Sequence, residues 1–457
     1  MKYLHVTPPW YVFHDNLRQP NVPLGAAYLA RWAQKAGWEP YIWNGDLLPA
    51  GAENDFSKEM KSYAHYLRSD LNNPVWDELR WALKEVQPDV VGITVLTPSY
   101  PSALMVADIV REETNAKIVV GGPHISAGER FALDIDNKIL GEGEIELYQY
   151  LKSLMSAYVF FDTKPNSLDY LGYPLRRCLD RYGILKPDNY GLVMFSRGCP
   201  FKCGFCASSN VWGRTVRYRS AKDMAAEMID VHESYDTRYF SFQDDTFTVS
   251  RKRILELMRE IMSTGLMSVP GFRWTCNTRP ELLDAELIAA MKGAGCAAIA
   301  IGIEFGSRRM LEKVNKGFTV QQVRDAARMI KEADVMLSGQ FMFGYPTETE
   351  DEMWQTVALA DELECDSVMV SVATPLPDTP LYYEAKELGL IGDIDWGTVT
   401  TKNDGMLMTI DEPQRVVREV KEAFDKIQSK TLDRKNRSRL YYESQYMNDA
   451  SPRYGID

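Results

Sequence analysis

The chain contains 457 residues, of which 45% are hydrophobic and 25% charged, a composition that predicts two or three globular domains with a large core. The 52 Lys and Arg against 64 Asp and Glu give a net charge of −12, which argues against a nucleic-acid partner or a membrane surface. No run of about 20 apolar residues occurs, and the N-terminus opens as a strand rather than a signal peptide. The seven cysteines, clustered in mid-chain, indicate metal chemistry in the reducing cytoplasm.

Residues 1–155 alternate strand and helix patterns, which predicts a doubly wound, Rossmann-like parallel sheet. Strands are predicted at 3–6, 40–43, 90–95, 117–120 and 138–140, and helices at 24–36, 76–86 and 102–112. The turn after the first strand, TPPW at 7–10, lacks the glycine fingerprint of dinucleotide-binding folds. We therefore expect a ligand other than a dinucleotide at the carboxyl ends of these strands.

Residues 156–188 predict a linker, because they are rich in Pro, Asp and Tyr and show no clean period. Strand and helix then alternate six times over 189–385, which fits a partial (β/α)6 TIM barrel with its chemistry at the strand ends. The strands are predicted at 191–195, 239–242, 272–277, 297–303, 339–343 and 367–372. The C-terminal region, 386–457, contains one predicted amphipathic helix at 411–428 and a basic segment at 430–439.

Three thiols lie within eight residues in the segment CPFKCGFC, at 199–206. Soft thiolates hold iron–sulfur clusters well, and no fourth cysteine lies nearby, so a four-iron cluster would keep one iron open for a substrate. A structural zinc site is the alternative, since three cysteines and one distant ligand would suffice. Zinc knuckles, however, usually pair their cysteines two by two.

This cysteine spacing, with an aromatic residue before the last thiol, resembles the radical S-adenosylmethionine (radical SAM) superfamily. The first domain resembles the cobalamin-binding domain of one branch of that superfamily, through the segments VPLGAAYL at 22–29, TVLTPSY at 94–100, GGPH at 121–124 and GEGE at 141–144. The resemblance implies a [4Fe-4S] cluster, S-adenosyl-L-methionine (SAM) and cobalamin as cofactors.

The resemblance also assigns residues to each cofactor. The cluster ligands are Cys199, Cys203 and Cys206. The SAM contacts are Phe205 on the adenine, Asp244 and Asp245 near the amino group, Arg279 for the carboxylate, and Glu304 and Gln340 for the ribose or methionine. Any of these polar residues could instead form a loop salt bridge or a helix cap.

The expected cobalamin contacts lie in the loops after the strands and before the first helix: Pro8, Pro9, Pro23, Leu24, Gly25, Leu96, Thr97, Ser99, Tyr100, Gly121, Gly122, Pro123, His124, Glu142 and Gly143. Many cobalamin proteins supply a histidine to cobalt from an Asp-x-His-x-x-Gly loop. Here the one Asp-x-His, at 230–232, follows the cysteines and lacks the glycine. We therefore expect no histidine on cobalt, with the loop 96–100 below the corrin and Tyr100 either reaching the metal or packing on the ring.

The resemblance implies methyltransferase activity. SAM would methylate cobalamin, a 5′-deoxyadenosyl radical would remove a hydrogen atom from an unactivated carbon, and the resulting substrate radical would take the methyl group. The chain resembles enzymes that methylate a glutamine of methyl-coenzyme M reductase, while a peptide or small-molecule acceptor stays open. A low-potential donor such as ferredoxin or flavodoxin is the implied electron partner.

Cobalamin-dependent radical cyclases and ring-rearranging enzymes are the alternative, because they use the same two domains. A non-catalytic zinc or redox-binding protein is a further alternative. Methylthiotransferases need additional N-terminal cysteines, and residues 1–177 contain none.

Overall fold

A computed structural model describes residues 1–9, 22–47, 74–128, 134–155, 165–180, 183–392 and 407–433. Residues 156–164 and 181–182 of the predicted linker, and 434–439 of the basic segment 430–439, lie outside these residues. The first domain consists of β1 Lys2–Thr7, α1 Leu24–Lys35, β2 Glu39–Asn44, α2 Pro74–Val86, β3 Val90–Thr94, α3 Tyr100–Glu113, β4 Lys117–Gly121, α4 Pro123–Ser126, β5 Asn137–Ile139 and α5 Gly143–Leu154.

The five strands of this domain form one parallel sheet in the order β2-β1-β3-β4-β5. Side chains alternate between its two faces, so Leu4 and Val6 pack towards α2 and α3, while Tyr3 packs towards α1 and α5. Burial on both faces explains the nearly continuous apolar strands in the sequence. The predicted doubly wound sheet is confirmed.

The second domain contains the strands β6 Leu192–Val193, β7 Ser196–Arg197, β8 Arg217–Tyr218, β9 Tyr239–Phe242, β10 Arg273–Thr278, β11 Cys296–Glu304, β12 Met336–Phe343 and β13 Ser367–Val372. Its helices are α6 Ser209–Trp212, α7 Ala221–Tyr235, α8 Arg251–Ser263, α9 Ala285–Gly293, α10 Arg308–Lys313, α11 Val320–Glu332, α12 Glu350–Leu363, α13 Pro380–Glu387 and, beyond a gap in the described residues, α14 Pro413–Asp433.

Six strands form a parallel sheet in the order β13-β12-β11-β10-β9-β6, which confirms the open (β/α)6 barrel. Its first strand is shorter than predicted, because the backbone amides of Phe195 and Ser196 donate to the Asp244 carboxylate at 3.0 and 2.5 Å instead of extending the ladder. The chain then enters the separate antiparallel pair β7–β8, in which Arg197 lies opposite Arg217.

Helix α14 packs against β13 and α12 through one apolar side, as the sequence predicted for Val417, Val420, Phe424 and Ile427. Each such side chain contributes about 1.5–3 kcal/mol when it is fully buried. The Gln428 Oε1 atom also accepts a hydrogen bond of 2.7 Å from Val368 N on the edge strand β13. The helix therefore covers a sheet edge that would otherwise present unpaired backbone groups.

The described part of the predicted linker packs on both domains, since Arg176 pairs with Glu227 of the second domain while other residues contact the first. Leu168 and Leu171 contact α1 side chains, and the Arg31 guanidinium donates to Tyr173 O at 2.9 Å. The strands of the two sheets fall within 1–155 and 189–385, while the exact boundaries at 155, 188 and 385 remain a prediction. Among the described helices, none combines the length and the apolar character needed to cross a membrane.

Candidate cofactor site

The loop of residues 198–216 between β7 and β8, here the cluster loop, carries Cys199, Cys203 and Cys206 as free thiols. Gly198 begins it at φ +99°, where a side chain would overlap the Thr215 carbonyl oxygen. Gly204 fixes it to the barrel, since its N–H donates to Val314 O and its carbonyl accepts from Leu381 N, both at 2.9 Å. The loop thus presents three thiols from a backbone that is pinned at several points.

Each of the three sulfurs has a hydrogen-bond partner. Arg279 Nη1 lies 3.3 Å from Cys203 Sγ, Thr246 Oγ1 lies 3.5 Å from Cys199 Sγ, and Ser208 N donates to Cys206 Sγ at 3.5 Å. Hydrogen bonds to the sulfurs and a neighbouring cation are means by which proteins tune iron–sulfur clusters. Among the described residues, no three His, Cys, Asp or Glu side chains converge on a single ion, whereas in a four-iron cluster each thiolate binds a different iron.

Arg279 is buried against this loop rather than exposed at a strand end. Its guanidinium stacks on the Phe201 ring at 3.8 Å, and its Nε donates to Glu281 Oε1 at 2.6 Å. Its third donor nitrogen, Nη2, donates to the carbonyl oxygen of Lys316. The residue predicted to bind the SAM carboxylate therefore lies beside a predicted cluster ligand, Cys203, where it neutralises negative charge.

The two predicted aspartates after β9 differ in their surroundings. Asp244 is buried, and its carboxylate accepts hydrogen bonds from Phe195 N and from the amide and hydroxyl of Ser196. Burial raises its pKa to about 7, although these hydrogen bonds favour the ionised form. Asp245 faces the cavity described below and is bonded to the Ser208 hydroxyl. Asp244 thus holds the strand ends together, and Asp245 faces the space available to a ligand.

The ends of β11 and β12 carry the two remaining polar SAM candidates. Glu304 adopts φ +66° and accepts from Lys316 Nζ at 3.1 Å, while Gln340 Nε2 lies 3.5 Å from Asn277 Oδ1. Lys316 also lies 5.5 Å from the centre of the Phe205 ring, the predicted adenine contact. These residues share one end of the barrel, and their contacts with SAM remain a prediction.

A cavity of about 600 Å³ lies between the two domains. Its first-domain wall comes from the sheet face under α1 and α5, and includes Tyr3, His5, Gly25, Tyr28, Gly92, Thr94, Val119, Gly121, Gly122, Pro123, Glu142 and Gly143. Its second-domain wall includes Met194, Arg197, Phe205, Cys206, Ser208, Trp212, Asp245, Met342, Ser371, Thr374 and Leu376. One space is therefore bordered by both predicted cofactor sites.

Three buried charged side chains and one partly buried arginine join the two domains, and we call them the interdomain clamp: Glu142, Glu144, Arg197 and Arg217. Arg197 Nη1 lies 3.1 Å from Glu142 Oε2, and its Nη2 lies 2.6 Å from Glu144 Oε1. Arg217 pairs with the other oxygen of Glu142. The predicted cobalamin contact Glu142 is thus paired with two arginines of the second domain, and its contact with cobalamin remains a prediction.

The comparisons with known proteins agree with this geometry. The family model of the Radical SAM superfamily matches residues 193–360, and that of the B12 binding domain matches residues 12–151. An uncharacterized methyltransferase of Pyrococcus horikoshii is 32% identical over 343 residues, which cover 70% of this chain and 74% of the relative. The chain belongs to the B12-binding radical SAM enzymes.

Two further comparisons extend this family assignment. The anaerobic magnesium-protoporphyrin IX monomethyl ester cyclase of Cereibacter sphaeroides is 29% identical over 421 residues, which cover 85% of this chain and 64% of the cyclase. The structure of the radical SAM methyltransferase TsrM from Kitasatospora setae matches with a TM-score of 0.64 at 18% identity, over 85% of this chain and 75% of that one. The cofactors of this B12-binding radical SAM enzyme are a [4Fe-4S] cluster, SAM and cobalamin.

Only some of the predicted cobalamin contacts of this radical SAM enzyme line the cavity: Gly25, Gly121, Gly122, Pro123, Glu142 and Gly143. The others are not among the residues that line it: Pro8, Pro9, Pro23, Leu24, Leu96, Thr97, Ser99, Tyr100 and His124. His124 Nδ1 lies 3.2 Å from Thr97 Oγ1, and its ring packs on Tyr100 at 4.7 Å. Burial lowers the pKa of His124 to about 4, so the ring is neutral near pH 7.

The sequence analysis missed a second buried histidine, which lines the cavity on β1. His5 bonds Tyr3 Oη through Nδ1 and Thr94 Oγ1 through Nε2, both at 2.8 Å. Burial lowers its pKa to about 4. Gly92 opposite has no room for a side chain, because a Cβ would overlap the Tyr3 hydroxyl. An imidazole within the apolar strand 3–6 was the available signal for this part of the site.

Proposed function

We propose that this enzyme is a C-methyltransferase, which transfers a methyl group from SAM, by way of cobalamin, to an unactivated sp³ carbon. The observation that supports the proposal is a shared cavity, which is bordered by Cys206 and Phe205 on one side and by Gly121–Pro123 on the other. A substrate carbon must meet two reagents in turn, and near-attack geometry requires both within a few ångströms of that carbon. The uncharacterized methyltransferase of Pyrococcus horikoshii is consistent with this reaction.

When bound, the cluster would generate a radical from SAM and cobalamin would carry the methyl group. The chain's own residues hold the cofactors and keep them apart. Cys199, Cys203 and Cys206 would hold the cluster, with Arg279 beside Cys203. The apolar wall formed by Met194, Met342 and Leu376 would exclude water from a reactive radical.

A cyclase or ring-rearranging enzyme is the second candidate. The observation that favours it is the similarity to the magnesium-protoporphyrin IX monomethyl ester cyclase, which extends over 85% of this chain. Such a reaction would use the same cavity without a methyl donor.

For the acceptor, we propose a protein glutamine of the methyl-coenzyme M reductase type, with a peptide or small molecule as the wider class. The second-domain wall offers hydroxyls at Ser371 and Thr374 among apolar side chains. These groups would suit a hydrocarbon segment that carries an uncharged polar group.

For the electron donor, we propose a low-potential ferredoxin or flavodoxin in the cytoplasm. Lys202 and Arg214 are exposed on the cluster loop, and Arg214 Nη1 bonds Phe201 O at 2.6 Å. An acidic donor would find two cations there on a chain whose net charge is −12.

The test uses anaerobically reconstituted enzyme, cobalamin, a reduced flavodoxin and SAM with a deuterated methyl group. The probes are a glutamine-containing peptide and magnesium-protoporphyrin IX monomethyl ester. We expect S-adenosylhomocysteine as well as 5′-deoxyadenosine, and the label on a carbon of the product. Altered substrate with 5′-deoxyadenosine, but without S-adenosylhomocysteine or label, would instead support the rearrangement.

A further inference from the structure

We infer that Arg197 is a positioning residue, which fixes the cluster loop against the first domain and so sets the separation of the two cofactors. The inference deepens the proposed function, on which it rests, because methyl transfer needs both cofactors at one carbon. Arg197 lies two residues before Cys199 and is almost completely buried, with 1% of its side chain exposed.

The guanidinium of Arg197 contacts both domains. Its two terminal nitrogens donate to Glu142 and Glu144 of the first domain, and its Nε lies 3.3 Å from Met194 Sδ of the second. The group also lies 4.6 Å from the Trp212 ring and 5.2 Å from the Tyr28 ring. Because the guanidinium group is planar and its partners are fixed, its orientation can change little.

The clamp is connected to the cluster ligands by short steps. Ser196, the neighbour of Arg197 in β7, is held by the Asp244 carboxylate through its amide and its hydroxyl. Two residues beyond Asp244, the Thr246 hydroxyl contacts Cys199 Sγ. A displacement of Arg197 would therefore move the segment that carries the first cluster ligand.

The clamp also balances its charges, since two carboxylates face two arginines. Removal of one partner leaves a buried charge without compensation, which strongly destabilises the folded protein. In a variant that removes a single charge, the effect of lost stability could therefore not be separated from the effect of lost positioning. A charge-balanced double variant, Arg197→Gln with Glu144→Gln, removes one charge of each sign and keeps the Glu142–Arg217 pair.

A matched control exists elsewhere in the chain. Glu227 is buried between Arg176 and Arg219, and Arg176 Nη2 lies 2.6 Å from Glu227 Oε1. This network does not line the cavity. The double variant Arg176→Gln with Glu227→Gln removes the same buried charges and leaves Arg219 paired with Asp223.

The experiment measures the distance between the two paramagnetic centres, cob(II)alamin and the reduced cluster, by pulsed EPR on the full chain loaded with both cofactors. The parent and the control should give the same narrow distance distribution. Arg197→Lys, which keeps the charge but loses the planar guanidinium group, and the charge-balanced variant should give shifted and broadened distributions. The charge-balanced variant should also melt near the parent's temperature.

Parent-like distributions in both Arg197 variants, at matched cofactor loading, would overturn the inference, and so would equal broadening in the control. A protein that binds neither cluster nor cobalamin would instead contradict the family assignment and the proposed function. The two failures are therefore distinguishable.

Discussion

On the first-domain side, the cavity is walled mainly by glycines, apolar side chains and a neutral imidazole, and its two carboxylates, Glu142 and Glu144, are paired with Arg197. The second-domain side carries the Cys206 thiol, the Asp245 carboxylate and the buried Arg197 guanidinium. In the first wall, neighbouring groups are packed closely, as at Gly92, where a Cβ would overlap the Tyr3 hydroxyl. The second is shaped by hydrogen bonds to buried carboxylates, as where Asp244 accepts from Ser196. We conclude that the first wall should be sensitive to added volume and the second to lost ligands or charge.

The largest effect is expected on the second wall, at the cluster loop. Cys203→Ala should abolish the release of 5′-deoxyadenosine from SAM by the reduced enzyme, because the cluster loses one of three ligands. Product chromatography after anaerobic reduction measures this. The control is Cys178→Ala, a thiol near Pro40 O that should leave cleavage intact. Continued cleavage in Cys203→Ala would contradict the cluster assignment.

The two walls should also respond to pH in opposite directions. The pKa of buried His5 falls from 6.5 to about 4, so its contribution to stability is present above pH 6.5 and is lost as pH falls, by about 3 kcal/mol. The pKa of Asp244 rises from 3.8 to about 7, so its contribution is present at low pH and is lost as pH rises towards 7, by about 4 kcal/mol.

Chemical unfolding between pH 4.5 and 7.5 tests this pair of signs. The parent-minus-variant free energy of unfolding should rise with pH for His5→Gln and fall with pH for Asp244→Asn. Slopes of the same sign would show that the two walls do not differ in the direction of their pH dependence.

Added volume should act on the first wall at Gly25, which lines the cavity and has open space where a Cβ would lie, with no neighbouring atom within 4 Å. Gly25→Leu should weaken cobalamin binding roughly 10- to 100-fold, because overpacking costs about 1–3 kcal/mol. Its thermal stability should not fall, since glycine is a poor helix former. Equilibrium binding of cobalamin measures the effect.

Gly293 on α9 supplies the control for that change, because it also has open space around its Cβ position and does not line the cavity. Gly293→Leu should bind cobalamin like the parent. Equal weakening by both substitutions would mean that the cavity wall is not the binding surface.

The smallest effect is expected at His124, which does not line the cavity and lies beside Thr97 and Tyr100. His124→Ala should weaken cobalamin binding only a few-fold, since one neutral hydrogen bond contributes about 0.5–1.5 kcal/mol. The EPR spectrum of bound cob(II)alamin should lack axial nitrogen splitting in both proteins. Nitrogen splitting that disappears in His124→Ala would identify this ring as the cobalt ligand.

Local patterns were enough to predict much of this molecule. The cysteine loop, the strand ends at Asp244 and Glu304, and the apolar side of α14 are each encoded within a few consecutive residues. The interdomain clamp could not be predicted in that way, because Arg197 and Glu142 are 55 residues apart and meet only when the domains pack. His5 was missed because a single imidazole in a strand has no periodic signal.

The residues of the interdomain clamp are also synthesised in a fixed order. Glu144 precedes Arg197 by 53 residues, so at about 5–20 residues per second it leaves the ribosome roughly 3–10 s earlier. All five strands of the first sheet lie before Glu142, so that sheet can be complete before the cluster loop is synthesised. The nascent second domain would then meet a finished anionic surface, on which its first arginines can dock as they emerge.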